Sequence, residues 1–139
     1  LICLFGWCLL ALFSCNQQVE DRQENLNFIA AKWFLTYLSK GEFDSALGRM
    51  DSYFIERADK KKLSTSIQEL SGKIISDYGK TPKVSFSSSE KTLHEGFAAN
   101  FLICKIESKQ RFGFYFFYLN DQSNKILLVS EFAMSKEKR

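Results

Sequence analysis

The chain has 139 residues, a formal net charge of +3 and a hydrophobic content of 45%. Its length suits one domain rather than several, and its charge is too mild to mark a nucleic-acid binder. Phe occurs 14 times against a single Pro, so the core is expected to be built on rings.

Leu1 to Ser14 is apolar and uncharged, and Cys15 follows it. Such a run is shorter than the roughly 20 residues needed to cross a bilayer. It matches the apolar region of a secretory leader, about 7–15 residues long. No basic residue precedes it and the chain does not open on Met, so the start of the leader is expected to be truncated or misassigned. Leu12-Phe13-Ser14-Cys15 resembles a bacterial lipobox. The resemblance implies signal cleavage after Ser14 and lipidation of the Cys15 sulfur, with Cys15 as the mature N-terminus. Phe13 departs from the pattern, which more often holds a small or β-branched residue there. An ordinary secretory leader and an uncleaved anchor are the alternatives. A lipidated Cys15 would hold the protein to a membrane of the bacterial cell envelope. Two or three chains make that tether durable, since each buried CH₂ contributes about 0.8 kcal/mol.

The organisation expected is a leader over 1–14, a lipidated N-terminus and polar tether over 15–24, a domain over 25–134 and a disordered basic tail over 135–139. Cys3 and Cys8 leave with the leader, and Cys15 is taken by lipid. Cys104 is then alone in the apolar run Phe101-Leu102-Ile103-Cys104, which reads as a small core residue.

Leu26, Ile29, Ala30, Trp33, Phe34, Tyr37 and Leu38 recur at helical spacing and predict a first helix. Asn25 is its expected N-cap and Gly41 its stop. Phe43, Ala46, Leu47 and Met50 predict a short second helix, weakened by Gly48. Asp51 to Asp59 reads as a loop or turn whose Tyr53, Phe54 and Ile55 plug the core. A third helix is predicted from Lys60 to Asp77, with Leu63, Ile67, Leu70, Ile74 and Tyr78 on one face and Gly79 and Pro82 ending it. Lys60-Lys61-Lys62, the only basic run, has no aromatic interleaving and reads as a solvated helix end.

At Lys83 the period switches to two. Val84 and Phe86 alternate with serines in a strand whose Ser87-Ser88-Ser89 suits a sheet edge. His94-Glu95-Gly96 is a turn, and strands follow over Phe97–Ile106, Phe112–Leu119 and Lys125–Ala133. Phe112, Phe114, Phe116 and Tyr118 point one way, and Tyr115, Phe117 and Leu119 the other. Phe101 and Ile103 oppose Leu102 and Cys104; Ile126 and Leu128 oppose Leu127 and Val129. Three strands are therefore apolar on both faces, whereas a one-sided antiparallel sheet alternates apolar with polar. Helices can cover one face. The other needs a partner, a ligand or the chain's own loops.

Motifs for chemistry are sparse. His94 is the only histidine, so no zinc set is expected, and there is no Gly-rich phosphate loop or nucleophile elbow. No cofactor is expected. Asp44, Asp51, Glu56 and Glu131 are acids without a selecting pattern. Glu131 would become a candidate base if its strand face were buried, because desolvation raises a carboxyl.

Ala31-Lys32-Trp33-Phe34-Leu35-Thr36-Tyr37-Leu38-Ser39-Lys40-Gly41-Glu42-Phe43-Asp44-Ser45-Ala46-Leu47 resembles the opening of nuclear-transport-factor-2-like, or cystatin-like, domains. The resemblance implies an α+β fold of three N-terminal helices on a curved four-stranded antiparallel sheet, shaped as a cone. It further implies a pocket walled by Trp33 and Tyr37 with one face of the third strand, either Phe112, Phe114 and Phe116 or Tyr115 and Phe117. An open sheet face that forms a homodimer is also implied. The trio used by isomerases of this superfamily has no match here. The leading expectation is a non-enzymatic binding module for an apolar ligand or a protein partner. The alternatives are a small isomerase- or hydrolase-type enzyme using the same cone, or a purely structural envelope lipoprotein.

Overall fold

The computed structural model describes residues 25–132, so Ser14, Cys15, the tether and the basic tail lie outside the described residues. Helix α1 covers residues 25–39. It is followed by α2 (Phe43–Leu47), α3 (Ser52–Arg57) and α4 (Lys60–Tyr78), then by β1 (Lys83–His94), β2 (Phe97–Glu107), β3 (Phe112–Asn120) and β4 (Ile126–Phe132). The strands form one antiparallel sheet in the order β1-β2-β3-β4. The fold is α+β, as expected, but the described residues hold four helical segments where three were predicted.

The extra helix is α3, where a core-plugging loop was expected. Asp51 makes the difference: its Oδ1 accepts the Tyr53 N–H at 3.0 Å and caps the turn. None of the residues of α3 is buried, so Tyr53, Phe54 and Ile55 do not plug the core. Asp59 caps α4 in the same way, accepting from Lys61 and Lys62 at 2.9 and 3.0 Å.

Asn25 is not the cap of α1, because residue 25 is already helical. The buried face of α1 is Asn27, Ala30, Ala31, Phe34, Leu35 and Leu38, while Leu26, Ile29 and Trp33 are exposed. The stripe is thus turned from the one expected. Two small alanines let this side of the helix approach the sheet, and the Phe34 ring meets Phe117 edge-on at 6.1 Å. Ser71 of α4 ties the helices together by donating to the Leu38 carbonyl at 2.6 Å.

Leu102, Cys104, Ile106, Tyr115, Phe117, Leu119 and Ile126 are fully buried and form one core with the helices. We call their side of the sheet the inner face. Register shifts occur in β1 between Phe86 and Ser88 and in the β3–β4 pairing at Tyr118/Leu119. The second corrects the alternation expected for β4. Ile126 pairs with Leu119 and Leu128 with Tyr118, so Ile126 and Leu128 fall on opposite faces.

Gly113 lies on the inner face opposite Ile106, and a Cβ there would overlap the Tyr78 hydroxyl. The glycine is needed for space, allowing α4 to end against β3. We expect Gly113→Ala to destabilise the domain by about 1–3 kcal/mol, the usual cost of overpacking. Tyr78→Phe, which removes the clashing oxygen, should recover part of that loss in the double variant. Urea unfolding of the three variants checks both statements.

Candidate functional site

Two regions carry distinctive side chains. The first is the outer face of the sheet, away from α1. The β2–β3 register aligns Phe101 with Tyr118, Ile103 with Phe116, Lys105 with Phe114 and Glu107 with Phe112 there. Phe101, Ile103, Phe112, Phe114, Phe116 and Tyr118 are half-buried, and Leu128 is 44% exposed. Neighbouring rings run in a row: Phe54 to His94 at 6.3 Å, His94 to Tyr118 at 4.5 Å, Tyr118 to Phe101 at 5.1 Å and Phe101 to Phe116 at 5.7 Å. Phe54 comes from α3, which closes one end of the row. At the other end Lys105 lies over the Phe112 ring at 5.1 Å and pairs with Glu107 at 3.4 Å. His94, the lone histidine, is a member of this stack.

The second region is a polar cluster between α4 and the β3–β4 pair. Glu131 is the cross-strand partner of Tyr115. Its Oε2 meets Lys73 Nζ at 2.5 Å, with the carboxylate side chain 13% exposed and the lysine 51% exposed. The hydrogen bond to Glu131 raises the Lys73 ammonium above its ordinary value. Burial, and then the charge of Glu131, raise both Tyr78 and Tyr115. Burial alone pushes the Cys104 thiol up to about 12. A shielded carboxylate beside two phenols is acid–base material, but the Lys73 ammonium already occupies one of its oxygens.

The structure brings together some of the residues expected to wall a pocket and separates others. Trp33 and Tyr37 are neighbours on α1, with ring centroids 5.7 Å apart. Phe112, Phe114 and Phe116 share the outer face, on the far side of the sheet from α1. These two groups do not line one cavity. The other strand pair considered, Tyr115 and Phe117, does face the helices, but both rings are fully buried in the core. The Glu131 strand face is buried, and Tyr115 and Tyr78 are the residues that join it. Gly113, alone in a run of rings, was the sequence signal for the close approach of Tyr78. No sequence signal tied Tyr115 to Glu131.

Comparison with known proteins finds no match for this chain: no family model, no curated protein and no solved structure. No helix among the described residues is long and apolar enough to cross a membrane.

The raised groups fix an alkaline limit. A native state that holds protons more tightly than the unfolded chain loses stability as pH rises. The contribution of Cys104 is whole below its unfolded value near 9 and is lost between there and about 12. Those of Tyr78, Tyr115 and Lys73 begin to fade near 10 and 10.5. We expect the urea midpoint to fall progressively above about pH 9, and Cys104→Ala to flatten the first part of that fall.

Proposed function

We propose that this chain is a non-enzymatic binding module of a bacterial envelope, held to a membrane by lipid on Cys15. It uses the outer sheet face for a hydrophobic ligand or a protein partner, of which a second copy of the chain is one case. The observation that carries the reading is the row of half-buried rings on the face opposite the helices. An apolar patch of this kind on a soluble domain marks an interaction site. The sequence Leu12-Phe13-Ser14-Cys15 supports the anchor. The helices-then-meander order, with helices against one face, supports a nuclear-transport-factor-2-like cone.

One observation favours a second reading, a small enzyme of isomerase or hydrolase type. Glu131 is a shielded carboxylate with Tyr115 opposite it. The Lys73 ammonium on Oε2 weighs against a base free to take a proton, and we prefer the binding module.

Replacing Phe101 and Phe114 together by Ser tests the preferred reading. We expect an unchanged far-UV circular dichroism spectrum and a several-fold drop in fluorescence of an anilinonaphthalene sulfonate probe. Full probe binding by the folded double variant would sink the idea that this face is the site. For the anchor, Cys15→Ala should abolish palmitate labelling in the producing cell, and unchanged labelling would refute lipidation there.

A further inference from the structure

We propose that the outer sheet face binds a free long-chain fatty acid, with its carboxylate on Arg57 and its chain along β3. The inference rests on the binding reading above and names the ligand. The size of the apolar strip comes first. From Phe112 to Tyr118 the strip runs about 20 Å at the rise of a strand, and the rings of β2 and β3 make it roughly 10 Å wide. Leu128 widens the Tyr118 end. Polar residues border the rest: Ser88 and Glu90 stand opposite Ile103 and Phe101, and Ser130 stands opposite Phe116. The strip therefore covers about 200–300 Å². A stable protein–protein interface takes about 800 Å² from each partner. One extended alkyl chain, long and narrow, matches the strip where a second protein surface does not.

The two ends of the strip differ in charge. Beyond Tyr118 the row passes through His94 and Phe54 to α3, where the Tyr53 ring meets Phe97 at 5.2 Å. The Arg57 guanidinium lies over the Tyr53 ring, 3.3 Å from its centroid. Its Nη1 donates to the Tyr53 carbonyl at 3.0 Å, and among the described residues no carboxylate pairs with it. A guanidinium carries its N–H donors in a planar fork that matches a carboxylate. Arg57 is thus held in place with donors to spare. At the Phe112 end Lys105 is already paired with Glu107 at 3.4 Å, and Lys83 shares that carboxylate at 3.7 Å. Glu90, on the border beside Phe101, repels an acid head from the middle of the strip. An anionic head with a single apolar tail fits this arrangement in one direction only, head toward α3.

A membrane surface fits less well. An interfacial face sinks its apolar groups about 5–10 Å into the bilayer and is rimmed by basic residues. These rings are half-buried, and Glu90 and Glu107 stand on their border.

The test titrates the whole chain with laurate and with dodecanol, each kept monomeric, and follows displacement of the anilinonaphthalene sulfonate probe. We expect both to displace it. Arg57→Gln should weaken laurate about threefold to tenfold and leave dodecanol unchanged. The double Phe101 and Phe114 variant should lose both. An equal effect of Arg57→Gln on acid and alcohol overturns the proposal, as does a loss of laurate through Lys105→Gln in its place. Binding to phosphatidylglycerol vesicles without binding of monomeric laurate assigns the face to a membrane and overturns it too. So does a dimer that buries the rings and excludes laurate. Each of these outcomes leaves the face a binding surface. Full probe binding by the ring variant is the separate result that defeats the broader reading. If Arg57→Gln does not fold, laurate spin-labelled at its tail decides the question on the unsubstituted chain: it must broaden the NMR signals of Phe112 and Phe114 and spare Arg57.

Discussion

The alternation of β3 is the constraint from which the two faces of this domain follow. Tyr115, Phe117 and Leu119 go under the helices, so Phe112, Phe114, Phe116 and Tyr118 must face away. Hydrophobicity alone would not choose between these arrangements, because a slip by one residue exchanges one set of rings for another. Gly113 makes the choice. Only a residue without a Cβ can stand beneath the Tyr78 hydroxyl. A one-residue slip would place Phe112 or Phe114 there and drive α4 off the sheet. The same register carries Tyr115 to its position opposite Glu131. One glycine thus fixes which rings enter the core, which rings face outward and where the polar cluster forms.

The strands were legible because their signals are local. The switch to a period of two at Lys83, the Glu95-Gly96 turn and the Asn120 to Asn124 loop are all written in neighbouring residues. The turn carries out what its residues suggest: Glu95 and Gly96 both take positive φ, 49° and 81°, as a two-residue hairpin requires. The helical stripe of α1 was less legible. Large side chains at Leu26, Ile29 and Trp33 outweighed Ala31 and Leu35 in the pattern, although close packing on the sheet favours the alanine side. The two register shifts, and the meeting of Tyr115 with Glu131 and Lys73, depend on which strand lies beside which. Residues far apart in the chain settle those contacts, so no window of sequence contains them.

The register shift in β4 has a consequence for the outer face. It places Ile126 on the inner side, where its backbone also bridges to Met50. The Ile126 N–H donates to the Arg49 carbonyl at 2.9 Å, and the Asp51 N–H donates to the Ile126 carbonyl at 2.8 Å. The segment between α2 and α3 is thereby fixed against the sheet. Asp51 then caps α3 through one carboxylate oxygen and accepts from Asn120 through the other. This anchorage holds Tyr53 and Phe54 against Phe97 and His94. A helix that buries none of its own residues in the core is positioned instead to extend the outer ring row.

The sheet's edges bear on whether partners meet its face or its rim. Among the described residues β1 and β4 are the outermost strands. A free edge invites another strand unless something blunts it. In β1 the shift at Ser87 breaks the ladder, and Glu90 and Lys91 add charge in mid-strand. In β4 the inward Glu131, held by Lys73, places a carboxylate where a regular edge would carry an apolar side chain. An inward charge costs stability unless its partner stays in place, because a carboxylate left alone in such a site is poorly solvated. Natural sheets accept that cost at edges to discourage pairing. With both edges guarded, strand addition is the disfavoured mode of association. Among the described residues the ring-bearing face carries no such guard, and it offers side chains rather than backbone. A contact made on that face would draw on shape and apolar area rather than on backbone hydrogen bonds.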